Sequence, residues 1–109
     1  LYAIVVINNI MAAIVRIQLD KHIGHASPTP NPFHATPYKT GSPDVFTNAK
    51  KTVRIGDETE CSDKATAGSP NVFINGIAVH RKNDSTSGHA SWPPNAAATG
   101  SPNVFANEA

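Results

Sequence analysis

One eight-residue phrase occurs three times in this chain, and no other feature constrains the fold as strongly. The copies read GSPDVFTN, GSPNVFIN and GSPNVFAN, at residues 41–48, 68–75 and 100–107. Their starts at positions 41, 68 and 100 lie 27 and 32 residues apart. We therefore predict a chain built from copies of one small supersecondary unit, joined by connections of different length.

Each phrase has the residue types of a turn followed by a strand. Gly-Ser-Pro favours a turn, and its proline fixes φ as the chain enters an extended segment. Val-Phe supplies the β-branched and aromatic side chains that are typical of strands. The second copy runs into Asn75-Gly76, the strongest short-range signal for a hairpin turn. Each copy is therefore predicted to open a β-hairpin.

The segments that belong with the phrases also recur, and they indicate how the chain closes. They read TVRIGD, AVHRKND and AIVRIQLD, at residues 52–57, 78–84 and 13–20. The third phrase stands at the end of the sequence, whereas its matching segment stands near the beginning. We predict that the C-terminal strand around Val104 and Phe105 pairs with residues 14–17. This pairing would close a ring of three hairpins and remove an open sheet edge.

The order, number and spacing of these pieces resemble the PAAR-repeat proteins, which cap the trimeric spikes of contractile phage tails and type VI secretion systems. The resemblance covers residues 11–109. It implies a small, conical, all-β domain whose three pseudo-three-fold repeats of hairpins and loops converge on a metal-bound apex. The sequence departs from the family pattern at the Pro-Ala-Ala-Arg tetrapeptide, which is replaced by KTVR at residues 51–54 and IAVH at residues 77–80. Gly-Asp remains only at residues 56–57, and Asn-Gly is lost in the first and third copies.

Composition limits the chain to a small, turn-rich domain. A length of 109 residues fits one domain with a modest core, and nine prolines and seven glycines indicate many turns. A net charge of +1 is not the strong positive charge that is typical of nucleic-acid-binding proteins. A small loop-rich domain needs an additional constraint. Because one cysteine cannot form an internal disulfide, a metal is the natural candidate.

Residues 1–10, LYAIVVINNI, are the most apolar stretch and stand outside the repeats. The stretch is too short to span a membrane, and it lacks the basic region and cleavage site of a signal peptide. Met11 resembles an ordinary translation start. We interpret residues 1–10 as upstream sequence or an extra strand, with an apolar contact to a partner as the alternative, and residues 11–109 as a single domain.

Three aspartates lead into three long connections, and a metal-ligating side chain follows each of them. The pairs, four or five residues apart, are Asp20 with His25, Asp57 with Cys61, and Asp84 with His89. In a three-fold arrangement these ligands converge near the axis, and His34 has the reach to be the fourth, with His22 as its rival. Three histidines and one cysteine favour one structural zinc ion, with iron as the alternative. The resemblance implies the same site, because PAAR proteins hold a metal with histidines and a cysteine near the apex.

The remaining candidate residues have structural interpretations. His80 lies in a predicted strand, so packing is expected, and the three aspartates are expected to close turns by accepting backbone N–H bonds. Trp92 fits either an interface anchor or a packed loop aromatic. The glycines and serines form no phosphate-binding loop and no nucleophile elbow.

The predicted function is mechanical rather than enzymatic. The resemblance implies a tip protein, with one copy on each trimeric valine-glycine-repeat-type spike, that sharpens the spike for piercing a host membrane and contacts that membrane transiently. The expected location is the tip of a phage tail spike in the virion, because no further domain is expected at either end. A secreted type VI spike tip is the alternative. From other classes we keep a zinc-dependent hydrolase with Glu58 or Glu60 as base, and a free-standing zinc-stabilised binding module.

Overall fold

The computed structural model describes residues 11–26, 33–88 and 93–107, and in these ranges the chain is all-β. No helix occurs among these residues, so none has the length and apolarity to cross a membrane. The strands, numbered in chain order, are β1 (Met11–Ala13), β2 (His25–Ala26), β3 (Phe33–His34), β4 (Phe46–Thr47), β5 (Lys50–Lys51), β6 (Phe73–Ile74), β7 (Ile77–Ala78), β8 (Ser85–Thr86), β9 (Asn95–Ala96) and β10 (Phe105–Asn107). The predicted apolar segment 1–10 and Trp92 lie outside the described residues. The all-β class is confirmed.

The strands form five antiparallel pairs, and three of these involve the repeated phrase. β4 pairs with β5, β6 with β7, and β10 with β1. The last pair joins the two ends of the described chain, with Ala13 opposite Phe105. The Ile14 N–H also donates to the Val104 carbonyl at 3.1 Å. The predicted closing pair is therefore confirmed, although its ladder lies on Met11–Ala13, just before the segment expected to carry it.

The serine of each phrase fixes the turn that precedes the strand. Its Oγ accepts a hydrogen bond from the backbone N–H three residues further on, a local arrangement that stabilises turns. The distance from the backbone nitrogen to the serine Oγ is 3.0 Å for Val45 and Ser42, 3.0 Å for Val72 and Ser69, and 2.9 Å for Val104 and Ser101. The predicted turn at Gly-Ser-Pro thus has a specific side-chain cause.

The glycine of each phrase is required by a close approach of two backbones. A Cβ on Gly68 would lie 2.6 Å from the Val79 carbonyl oxygen, and one on Gly100 would lie 2.8 Å from the Ala13 carbonyl oxygen. Real side chains do not tolerate such distances to backbone atoms. The adjoining Ser69 N–H donates to the Val79 carbonyl at 2.8 Å. Glycine therefore lets the phrase lie directly against the segment that returns from its hairpin.

The returning segments bond to one another in a closed cycle of three. The Val53 N–H donates to the Val15 carbonyl at 3.0 Å, the His80 N–H to the Val53 carbonyl at 2.9 Å, and the Val15 N–H to the His80 carbonyl at 3.1 Å. Each unit therefore donates to one neighbour and accepts from the other. The hairpin ladders are short because each returning segment leaves its own hairpin and pairs with the next unit.

An arginine–aspartate pair closes the turn after each returning segment. The Nε–Oδ2 distances are 2.9 Å for Arg16–Asp20, 3.1 Å for Arg54–Asp57 and 2.8 Å for Arg81–Asp84. In each pair the same Oδ2 also accepts the backbone N–H of the arginine, at 2.7 or 2.8 Å. The predicted turn-closing role of the three aspartates is confirmed.

The core consists of two small apolar clusters. One contains residues of the hairpins, namely Ile14, Val45, Val72, Ile74, Val79 and Ala106. The other lies where the connecting loops leave and return, and contains Val15, Tyr38, Val53, Ala65 and Ala97. His80 is fully buried, and its Nε2 accepts from the Tyr38 hydroxyl at 2.8 Å. The packing role expected for His80 is confirmed.

Candidate metal site

Three histidines and one cysteine lie close together where two of the connecting loops meet. The residues are His22, His25, His34 and Cys61. One nitrogen or sulfur atom from each lies within 4.8 Å of the corresponding atoms of the other three. Imidazole nitrogen and thiolate sulfur are the usual ligands of zinc in proteins. These four side chains could hold a metal ion.

The loop that follows Asp20 supplies the three histidines. His25 and His34 face each other across the short ladder between β2 and β3, which explains why two residues nine positions apart are neighbours. His22 lies before this ladder and pairs with Ala97 of another loop. Cross-strand neighbours have their side chains on the same face. The β2–β3 hairpin therefore directs two imidazoles into one space.

Cys61 comes from the shorter loop after Asp57. The Thr59 N–H donates to the Asp63 carbonyl at 3.0 Å, which closes a tight turn around the cysteine. The Thr59 hydroxyl lies 3.2 Å from the Cys61 sulfur, and the Cys61 N–H donates to the Thr36 hydroxyl at 3.3 Å. These contacts hold the half-buried thiol on the side of the histidines.

The spacing of the four ligand atoms is near that of a tetrahedral site. With bonds of about 2.05 Å to nitrogen and 2.3 Å to sulfur, a zinc ion sets its ligands about 3.3 Å apart for two nitrogens and about 3.6 Å for nitrogen and sulfur. The Cys61 sulfur lies 3.4 Å from His22 Nε2 and 4.0 Å from His25 Nε2. His25 Nε2 and His34 Nε2 are 2.7 Å apart. These three distances lie on both sides of the tetrahedral values, and all four ligand atoms lie within 4.8 Å of one another.

His22 is buried and held in place at both ring nitrogens. Its Nδ1 lies 3.2 Å from Asn95 Oδ1 and 3.8 Å from Asp63 Oδ2. Its Nε2 accepts the Thr36 N–H at 3.0 Å. Burial lowers the pKa of His22, outweighing the opposing effects of the Asn95 bond and the Asp63 charge. The low pKa keeps the imidazole neutral at pH 7, the form that binds metals.

A set of three imidazoles and one thiolate can fill all four positions of a tetrahedral ion. Structural zinc sites are closed in this way, whereas catalytic sites keep one position for water or substrate. Buried Asp63 does not offer a free carboxylate, because it accepts hydrogen bonds from the Thr86 hydroxyl and the Gly88 N–H. An ion bound by all four side chains would have no position left for water or substrate.

The structure brings together three of the four residues that the sequence predicted as ligands, which are His25, His34 and Cys61. The fourth member of the cluster is His22, which the sequence ranked only as a rival to His34. The predicted ligand His89 lies outside the described residues. His80 is separate from the cluster and donates through Nδ1 to the Ala67 carbonyl at 2.7 Å.

A signal for His22 exists in the repeats, at the second residue after each aspartate. These positions form a second cycle of cross-unit bridges, made by His22 with Ala97, Tyr38 with Thr59, and Ala65 with Thr86. A histidine thus stands where the other two units have buried threonines. Beyond these bridges the three units are no longer equivalent, because the loops differ in length. Counted from these bridges, Cys61 corresponds to Gly24, one residue before His25.

No family model, curated protein or solved structure matches this chain.

Proposed function

We propose that this protein is a PAAR-type spike tip, which caps the trimeric β-helical spike of a contractile injection machine and sharpens it for piercing a membrane. One copy binds each spike trimer. Phage tails are the favoured setting and type VI secretion spikes the alternative. The co-purifying spike protein would discriminate between the two.

The cyclic bonding of the three units is the observation that supports this function best. Val15, Val53 and His80 exchange backbone hydrogen bonds around a closed ring. Three equivalent arginine–aspartate turns surround the ring. A single chain with this approximate three-fold character can present one hairpin to each subunit of a trimer. The three-fold end of a trimer would otherwise need a partner oligomer with the same three-fold symmetry.

The hairpins carry side chains suited to such a contact. Phe46 is 40% exposed and Phe73 is 56% exposed, and Phe105 occupies the matching position in the third unit. Aromatic side chains are common anchors of protein interfaces. Short hairpins also offer free backbone edges for pairing with a β-structured partner.

The proposed metal is one zinc ion, with iron as the alternative, held by the His22–His25–His34–Cys61 cluster. The two apolar clusters end at the residues where the loops leave and return. Neither apolar cluster includes a described residue of the loops beyond those points. Ligand bonds would supply stability there, as they do in other small metal-stabilised domains. The closed ligand set favours this role over hydrolysis.

Docking to a trimeric spike tests the function directly. We expect native mass spectrometry of the protein co-expressed with its spike to give one copy per trimer. Phe73→Glu should weaken that complex at least about ten-fold, because a charge replaces an apolar contact. Leu19→Glu is the matched control, since Leu19 is 51% exposed but belongs to a turn outside the hairpins. Three copies per trimer, or equal effects of the two substitutions, would contradict the proposal.

A further inference from the structure

We propose that Asn95 is a positioning residue for the metal centre, because it fixes the tautomer of His22. In that tautomer the proton is on Nδ1 and the lone pair of Nε2 faces the ligand cluster. This inference rests on the proposed metal site. It goes beyond that site by assigning a role to a residue that binds no metal.

The orientation of the Asn95 amide follows from its contacts with Gly24. The Gly24 N–H donates to Asn95 Oδ1 at 2.9 Å, and Asn95 Nδ2 donates to the Gly24 carbonyl at 2.6 Å. A backbone N–H can only donate, and a carbonyl oxygen can only accept. Flipping the amide would place donor against donor and acceptor against acceptor. The oxygen of Asn95 must therefore lie on the Gly24 N–H side, which is also the side of His22.

The fixed amide in turn determines the proton on His22. His22 Nδ1 lies 3.2 Å from Asn95 Oδ1, which only accepts, so Nδ1 must carry the proton. Asp63 Oδ2, at 3.8 Å from the same nitrogen, is also an acceptor. At the other side of the ring the Thr36 N–H donates to Nε2 at 3.0 Å. Groups on both sides of the imidazole thus require the same tautomer.

The carbonyl of neighbouring Pro93 places the proton of a second histidine on Nδ1 as well. His25 Nδ1 donates to the Pro93 carbonyl at 2.8 Å, because a carbonyl oxygen cannot donate. His25 Nε2 therefore also presents a lone pair toward His34 and Cys61. Segment 93–95 comes from the connection after the second unit, whereas both histidines belong to the loop after Asp20. One short segment thus orients two ligands of a different loop.

Metal entry requires the contacts at His22 Nε2 to be exchanged. The Thr36 N–H donates to this nitrogen at 3.0 Å and the Thr36 hydroxyl lies 3.1 Å from it, so an ion bound by Nε2 must displace both. The Asn95 bond at Nδ1 is unaffected by the exchange. Groups that orient a ligand in this way raise its affinity for metal, and their loss costs about 10–100-fold. We therefore expect Asn95 to contribute to affinity without contacting the ion.

The first experiment uses the wild-type protein and requires no substitution. Long-range proton–nitrogen NMR spectra of uniformly ¹⁵N-labelled protein report the tautomer of each histidine. In chelator-treated protein His22 should carry its proton on Nδ1, and zinc should then shift the Nε2 resonance. A proton on Nε2, or zinc bound to Nδ1, would overturn the inference.

The second experiment compares two substitutions by zinc competition against a chromophoric chelator. Asn95→Ala should weaken zinc binding about 10–100-fold, although the Thr36 N–H still requires an unprotonated Nε2 in the metal-free variant. Asn95→Asp keeps an acceptor for Nδ1 but loses the Nδ2 bond to the Gly24 carbonyl, so its zinc affinity should lie between those of Asn95→Ala and the wild type. Wild-type zinc affinity in Asn95→Ala would refute the role. If Asn95→Ala does not fold, the wild-type spectra and Asn95→Asp decide.

Failure of the metal centre can be told apart from failure of this inference. A wild type that takes up no zinc, while His22 keeps its Nδ1 proton, overturns the metal site and with it the positioning role, but leaves the hydrogen bond intact. A wild type that binds zinc with His22 in the other tautomer overturns the positioning role alone.

Discussion

At the scale of single residues, buried polar side chains are as prominent inside this fold as buried apolar ones. Both core clusters are small, and fully buried His80 lies beside the second one, two residues after the end of β7 and not in the strand predicted for it, at the position that Val15 and Val53 occupy in the other units. Its two ring nitrogens bond to the Ala67 carbonyl and the Tyr38 hydroxyl. A buried polar residue whose hydrogen-bonding groups all have partners is compatible with a stable core.

His80 should make the protein sensitive to acid. Burial lowers the pKa of His80 below its ordinary value of about 6.5. The unfolded chain therefore binds the proton more readily than the folded protein, and stability falls as pH drops below about 6.5. One such group contributes at most about 1.4 kcal/mol per pH unit. Urea unfolding at pH 7.5 and pH 5.5 should show a smaller loss for His80→Asn than for the wild type.

His22 is present in both the wild type and His80→Asn, and therefore serves as an internal control for the comparison of their acid sensitivity. The lowered pKa of His22 acts in the same direction, so only the difference between the two proteins reports on His80. An equal loss of stability in the wild type and in His80→Asn would refute the assignment.

At the scale of elements, the hairpins keep one turn geometry despite different sequences. Asn75 and Gly76 have φ values of 57° and 75°, and Asn48 and Ala49 have φ values of 51° and 67°. Positive φ at both central residues is the geometry of the favoured two-residue hairpin turn. Alanine is strained in the left-handed region, so the first hairpin keeps a turn for which its sequence is poorly suited.

Ala49→Gly should stabilise the protein by about 0.5–1 kcal/mol, because glycine adopts positive φ without steric cost. Gly76→Ala is the matched reverse change and should destabilise by a similar amount. A Cβ at Gly76 would meet nothing within 4 Å, so the backbone angle alone accounts for that loss. Urea denaturation of both variants measures the effect. A destabilised Ala49→Gly would show that the first turn is not strained.

At the scale of the whole molecule, three similar units form a ring and two of the connecting loops meet at a cluster of possible ligands. The radius of gyration of 13.3 Å is that of a compact domain of about 100 residues. Cyclic bonds hold the units together, but neither apolar cluster includes a described residue of the loops between Asp20 and Tyr38, Asp57 and Ala65, or Asp84 and Ala97. We therefore expect the loops to be the part of the molecule that a metal stabilises.

Removal of metal should lower the melting temperature of the whole protein. A ligand present at about 100 times its dissociation constant stabilises by about 2.7 kcal/mol, which corresponds to about 10 °C or more for a domain of this size. Chelation should therefore shift the wild type by at least that amount. Cys61→Ser should melt lower than the wild type and respond little to chelator.

Metal analysis of further variants identifies the ligand set. His22→Asn should reduce zinc content, and His80→Asn should leave it unchanged because His80 is separate from the cluster. His89→Asn tests the ligand that the sequence predicted outside the described residues. A wild type whose melting temperature is unaffected by chelation, with residual zinc and iron verified as absent, would contradict the metal centre.

The sequence alone determined the features that depend on neighbouring residues. Gly-Ser-Pro predicted turns that the serine hydroxyls stabilise, Asn75-Gly76 predicted a hairpin, and the three aspartates predicted closed turns. The matching segment at residues 13–20 also predicted the closing pair, because repetition reveals a missing partner even at long range. His25 and Cys61 were predicted as ligands from their place after equivalent aspartates, and His34 from its reach in the longest loop.

Only the tertiary structure decided how the units bond to one another and which fourth side chain joins the cluster. The returning segments pair across units rather than within long hairpins, since backbone groups take the nearest partner in space. Asn95 contacts His22 and Pro93 contacts His25, each from some seventy positions away in the sequence. Such contacts leave no periodic trace in the sequence, because each is made only once and between loops of unequal length.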